Sequence, residues 1–178
     1  MLLPSSSASA VVFRFALLMV AGFALAACSS VRYYAQAAHG QAELIVHRRP
    51  IERMLTAPHT DPQLAARLRL ALQARRFASR ELGLPDNRSY TGYVPLDRDY
   101  VVWNVFAAPR YSVQAVPQCF PIAGCVAYRG WFSEQAAKAD AARWKARGDD
   151  VWIGGVPAYS TLGWFADPVL SSMLRWDD

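Results

Sequence analysis

Few residues of this 178-residue chain have the type and spacing to carry chemistry. His39, Glu43 and His47 stand at i, i+4 and i+8, which places neighbours on one helix face. Two histidines and a glutamate form a zinc donor set only if they converge on one ion. Strung over two helical turns they diverge, so a polar helix face is expected instead. The chain contains no His-Glu-x-x-His. Ser160 lies in Tyr159-Ser160-Thr161-Leu162-Gly163, where Ala158 stands in place of the leading glycine of a nucleophile elbow. No Asp and His complete a triad around it. Gly154-Gly155 runs into Val-Pro rather than opening a helix, so it is no phosphate loop. Three cysteines are too few for a cysteine-only zinc site. On local chemistry alone, no reaction is assigned.

The elements that must position these residues are more legible. Hydrophobic residues make up 53% and charged residues 19%, the composition of a globular chain. Residues 31–49 predict a helix, with Tyr34, Ala37, Gln41, Leu44 and Arg48 on one face. Gly40 inside it costs about 1 kcal/mol against alanine, which points to close packing there. Pro50 ends it or opens a short helical turn through Leu55. A second helix is capped by Thr60 or Asp61, carries Pro62 in its first turn and stops before Gly83. Beyond it, Tyr100–Ala107, Tyr111–Val116 and Gly124–Tyr128 predict strands. A helix over Glu134–Arg147, capped by Ser133, and a short strand at Val151–Ile153 follow. Residues 154–165 read as a loop with a high aromatic load, and Val169 onward as a further helix. Helices followed by strands predict an α+β fold, a small mainly antiparallel sheet with a packed helix.

The formal charge is +5. It is uneven, because residues 28–80 carry nine arginines against three acids. Arg67, Arg69, Arg75, Arg76 and Arg80 stud the second helix. Such a helix can face nucleic acid. The leader described next exports the chain, so no nucleic acid is expected. A solvated face, or contact with anionic lipid near an anchor, accounts for the charge better.

Residues 1–27 have one charge, Arg14, then an apolar run from Phe15 to Leu25 and two alanines before Cys28. This is a secretory signal pattern, too short for a confident spanning helix. Leu25-Ala26-Ala27-Cys28 resembles the lipobox of bacterial lipoproteins. It implies an acylated Cys28 at the new N-terminus, anchored to the membrane by more than one acyl chain. Ser29 after the cysteine favours the outer membrane, with the domain facing the periplasm. The mature chain would be residues 28–178, one domain. In that compartment Cys119 and Cys125, which flank Phe-Pro-Ile-Ala-Gly, are expected as a disulfide that staples a turn. Two free thiols are the alternative.

Several segments together resemble a bacterial family of zinc-dependent aminopeptidase lipoproteins. They are Tyr33-Tyr34-Ala35-Gln36 with Gly40-Gln41 and Glu43, then Arg49-Pro50-Ile51 and Arg76-Phe77-Ala78. Glu81 through Asn87, Val102 through Pro109, Cys119-Phe120-Pro121 with Gly124-Cys125, and Tyr128-Arg129-Gly130 continue the likeness. The most specific block is Gly155 through Trp164. The family implies a peptide substrate and a zinc ion held by a His-Glu-x-x-His helix, with a downstream glutamate as third ligand. In the family that helix follows soon after the Tyr-Ser-Thr-Leu-Gly-Trp segment. This sequence stops before it, so no metal ligand or general base transfers to any residue here. The chain resembles the N-terminal portion of the enzyme, truncated before the zinc helix and expected to be inactive alone. Tyr159, Ser160 and Thr161 would then form a substrate wall beside the missing helix. The rival expectation is a non-catalytic periplasmic lipoprotein that binds peptides or envelope components. Truncation would leave a stub helix exposing Val169, Leu170, Met173, Leu174 and Trp176.

Overall fold

A computed structural model of the chain describes residues 31–120, 124–161 and 163–175. The expected leader, the expected acylation site Cys28 and Trp176 lie outside the described residues. The chain divides into two compact units, 1–38 and 39–178. Of the first, residues 31–38 are helical, and the helix α1 runs over 31–46. No described helix is long and apolar enough to cross a membrane.

The second unit is α+β. After α1 come β1 (Arg49–Pro50), α2 (Ile51–Thr56) and α3 (Pro62–Glu81). The Asp61 carboxylate accepts from Leu64 N at 2.7 Å, which caps α3, and Pro62 fills its first turn. Gly83, at φ +66°, takes the left-handed conformation that ends the helix, and Leu84 N donates back to Ala78 O. Pro50 does begin a short helix, because Ile51 N donates to Thr91 O and Ile51 is fully buried.

Three small sheets follow. In the first, β2 (Gly92–Val94) lies between β1, antiparallel, and β8 (Val169–Leu170), parallel. Helices α2 and α3 cover it through Ile51, Leu68, Tyr93 and Val169. In the second, β3 (Val102–Ala108) lies between β6 (Arg129–Trp131) and β7 (Asp150–Val156), antiparallel to both. Helix α4 (Glu134–Lys145) packs on this sheet through Ala137 and Ala141. Its one buried carboxylate, Asp140, accepts from Trp131 Nε1 at 3.0 Å and Arg143 Nη2 at 2.7 Å. The third sheet is the hairpin of β4 (Gln118–Phe120) and β5 (Gly124–Val126). A core of Leu44, Val94, Val101, Val102 and Leu170 joins α1 to the strands, with Phe132 and Tyr159 packed against it.

Three sequence expectations are corrected. Residues 111–116 form no strand: β7 runs the length of β3, β6 pairs with Trp103–Val105 on its other edge, the stretch makes only the bond from Val116 N to Ala107 O at 2.7 Å there, and Ser112 N closes a turn onto Pro109 O. Tyr111, at φ +61°, and Val113 are fully exposed. Residues 154–156 continue β7 rather than starting the loop. Val169 onward is not a stub helix. Val169 and Leu170 form a buried strand, and a 3₁₀ turn at Ser171–Leu174 follows. A two-residue strand has no periodicity to read, and its parallel partner β2 lies far back in the chain. Val169 and Leu170 are thus buried where exposure was expected, and Met173 and Leu174 are partly buried.

Gly40 is where the backbone comes closest to a neighbouring ring. A Cβ there would fall within the Phe132 ring, which itself meets Tyr159 edge-on with centroids 5.3 Å apart. Gly40→Ala should lower stability by about 1–2 kcal/mol in urea unfolding, since overpacking exceeds the gain in helix propensity.

Candidate functional site

The family-like segment after β7 is held by one buried carboxylate. Asp167 is 4% exposed. It accepts from Ser160 Oγ at 2.9 Å, from Thr161 Oγ1 at 2.6 Å, and from Thr161 N at 3.1 Å to each oxygen. Thr161 Oγ1 accepts from Phe165 N at 3.0 Å, and Trp164 N donates to Thr161 O, so residues 161–165 close on themselves. The tip of this turn presents Trp164 and Phe165 to solvent, 79% and 49% exposed. Pro168 favours an extended Asp167, which starts the chain toward β8.

Arg48, at the end of α1, fixes the same loop from the other side. Its Nη1 donates to Ala166 O at 2.8 Å, and its Nη2 donates to Arg88 O at 3.0 Å and to Thr91 Oγ1 at 3.2 Å. Burial lowers the Arg48 pKa from its ordinary value and Arg88 lowers it further, while Asp167 opposes both. Tyr90 N donates to Asp167 O at 2.6 Å, which joins the 88–91 turn to the loop. Arg75 of α3 holds that turn in place through Ser89 O at 2.9 Å and Asp86 at 2.6 Å.

Of the expected wall residues, Ser160 and Thr161 direct their hydroxyls to Asp167. Tyr159 is half-buried against Phe132. Burial raises the Tyr159 pKa, and the Asp167 charge adds to it. Below about pH 10 the phenol is neutral in both folded and unfolded chains, so it has no effect there. Above that pH the unfolded chain loses this proton first, and stability falls as pH rises toward the folded pKa. Tyr159→Phe should therefore flatten the alkaline limb of a pH–stability curve and leave neutral stability nearly unchanged.

Beside this loop's aromatic packing, Phe132 also lines an open pocket of about 570 Å³ with Arg98, Trp103, Glu134 and Lys138. Arg98 grips Glu43 with two bonds, at 2.8 and 3.3 Å. Burial pulls the Arg98 pKa down, but Glu43 and Asp97 outweigh it and raise it above its ordinary value. Glu43 is thus turned to Arg98. His47 Nδ1, just past the end of α1, lies 2.9 Å from the Glu43 carbonyl of that helix. Among the described residues no group of three His, Cys, Asp or Glu side chains could hold a metal ion. The donor set among the described residues does not fit zinc. None of the three histidines lies on the Ser160 loop: His39 is on α1, His47 is in the turn just past its end, and His59 is in the turn before α3. Cys119 and Cys125 face each other across β4 and β5 and are disulfide-bonded. Sequence reasoning missed Asp167, Arg48 and the Arg98–Glu43 pair. The usable signal was Asp-Pro seven residues after a Ser-Thr pair, a carboxylate close enough in sequence to cap a short loop.

Fold and site together define an α+β domain that carries a preformed aromatic loop after its central sheet. The chain belongs to the protein family described as "Putative aminopeptidase", whose model matches residues 32–178. No curated protein and no solved structure matched the chain.

Proposed function

We propose that these residues are the substrate-side part of a membrane-anchored, zinc-dependent aminopeptidase, and that the metal and its general base come from outside them. The observation that carries this reading is the Asp167-held loop, which lies in the most specific family-like block and presents two aromatics to solvent. Ser160 and Thr161 set the loop's shape through Asp167. Tyr159 and the exposed Trp164 and Phe165 would line the wall along which a peptide's first residues lie. Loops fixed on a rigid scaffold are common carriers of such contacts. Zinc, when supplied, would polarise the scissile carbonyl and acidify the attacking water. This chain's own part is binding and orientation. Acylation at Cys28 would hold the domain at the periplasmic face of the outer membrane.

The second reading is a non-catalytic lipoprotein that uses the same loop and the pocket at Arg98 to bind peptides or envelope components. It draws on the open pocket of about 570 Å³ beside the loop, where Arg98, Phe132 and Lys138 offer charged and aromatic contacts. The intact mass of the native membrane-bound product separates the two. A product well above this chain's mass, with a His-Glu-x-x-His beyond Asp178, supports the peptidase. A product of the mature chain plus acyl groups overturns it in favour of the binding lipoprotein. In a product that turns over, Tyr159→Ala should raise KM several-fold with kcat little changed.

A further inference from the structure

The outward face of α3 carries two parallel stripes. Arg69, Gln73, Arg76 and Arg80 follow one another at steps of three and four residues, and all are exposed. Beside them run Ala66, Leu70, Ala74 and Phe77, also exposed, with Leu70 at 57% and Phe77 at 56%. Leu82 and Leu84 extend the apolar stripe past the helix end, at 62% and 54% exposed. Packing does not explain these leucines and this phenylalanine, because Ala65 and Leu68 already supply the buried face. The arginines also divide by role. Arg67 donates to Leu174 O, and Arg75 holds the 86–89 turn. Arg69, Arg76 and Arg80 have no ion-pair or hydrogen-bond partner among the described residues. The only acid of this outward face is Glu81, at its last position.

We infer that this face of α3 docks on an anionic phospholipid bilayer, with its arginines at the headgroups and Leu70 and Phe77 dipped into the acyl boundary. A helix whose polar side is arginine and whose adjoining side is Leu and Phe has the chemistry of an interfacial helix. A negative leaflet complements three free guanidinium groups. A nucleic-acid face would use the arginines and leave the exposed Leu70, Phe77, Leu82 and Leu84 stripe without a partner. The inference does not depend on the peptidase reading or on acylation of Cys28.

The test places dansylalanine at position 73 of the full chain, with a control at position 145 on α4. Vesicles of phosphatidylcholine alone are compared with vesicles of about one-third phosphatidylglycerol. Because the probe reads contact at α3, binding through the N-terminus alone does not move it. The expected result is a blue shift at position 73, and not at 145, on the anionic vesicles only. Each near-surface arginine multiplies affinity roughly fivefold, so Arg69→Glu, Arg76→Glu and Arg80→Glu together should raise the half-saturating lipid concentration at least about 100-fold. The matching triple change to Lys should keep binding, and Leu70→Ser with Phe77→Ser should weaken it about tenfold or more. Equal shifts on both vesicle types, an equal shift at position 145, or indifference to the Arg→Glu changes would overturn the inference. So would arginine-dependent retention on duplex DNA without a vesicle shift.

Discussion

Asp167→Ala should destabilise the domain by about 3 kcal/mol, a large share of the 5–15 kcal/mol that such domains have. Three donors converge on this carboxylate, and hydrogen bonds to a charged acceptor contribute about 1.5–3 kcal/mol each when their geometry is sound. The loss is less than their sum, since the hydroxyls of Ser160 and Thr161 can rotate toward water. Thr161 N has no such freedom. The change also leaves Arg48 beside Arg88 without the opposing charge of Asp167. Asp167→Asn, which keeps an acceptor and the shape, should cost about half as much. Urea unfolding gives the stability. Hydrogen exchange gives the location: the amides of Thr161, Trp164 and Phe165 should lose protection in Asp167→Ala before those of β3 do. Uniform loss across the domain would mean that Asp167 supports the core rather than the loop.

Leu170→Ala should cost about 3 kcal/mol as well, by a different mechanism. Leu170 is completely buried, pairs with Val94 across the parallel β2–β8 ladder and packs among Leu44, Val101 and Val102. Leu→Ala at such sites costs 2–5 kcal/mol because the cavity only partly collapses. An exposed stub helix at the same position would lose well under 1 kcal/mol. Val113→Ala is the control, because Val113 is fully exposed and should change stability by less than about 0.5 kcal/mol. Equal, small effects at both positions would contradict the strand.

Sequence reasoning reached elements with long periods and strong punctuation. Helix α3 was legible from Asp61, Pro62 and Gly83, and α4 from Ser133 and Gly148, since caps act locally. Strand β3 was legible from its β-branched and aromatic run, while its partners were not. Tyr111–Val116 has strand composition, yet the ladders of β3 form with segments further along the chain, and this stretch keeps one bond to it, from Val116 N to Ala107 O. The ends of the first sheet were hidden for the same reason: β1 and β8 have two residues each and exist only because β2 pairs with both. At the site, the segment 155–165 was singled out by its likeness to a family, but what holds it was not. Asp167 finds its partners in Ser160 and Thr161, gathered by a chain reversal that spacing alone does not announce. Of the His39, Glu43 and His47 series, Glu43 is taken by Arg98, which lies 55 residues away in the chain.

These residues are proposed to shape and hold a substrate loop without themselves supplying the catalytic metal. The direct measurement is zinc content and aminoacyl-substrate hydrolysis of the purified 178-residue chain, dialysed against micromolar zinc. The expected result is substoichiometric zinc and no turnover above buffer. One tightly held zinc per chain with measurable release of N-terminal residues would contradict it.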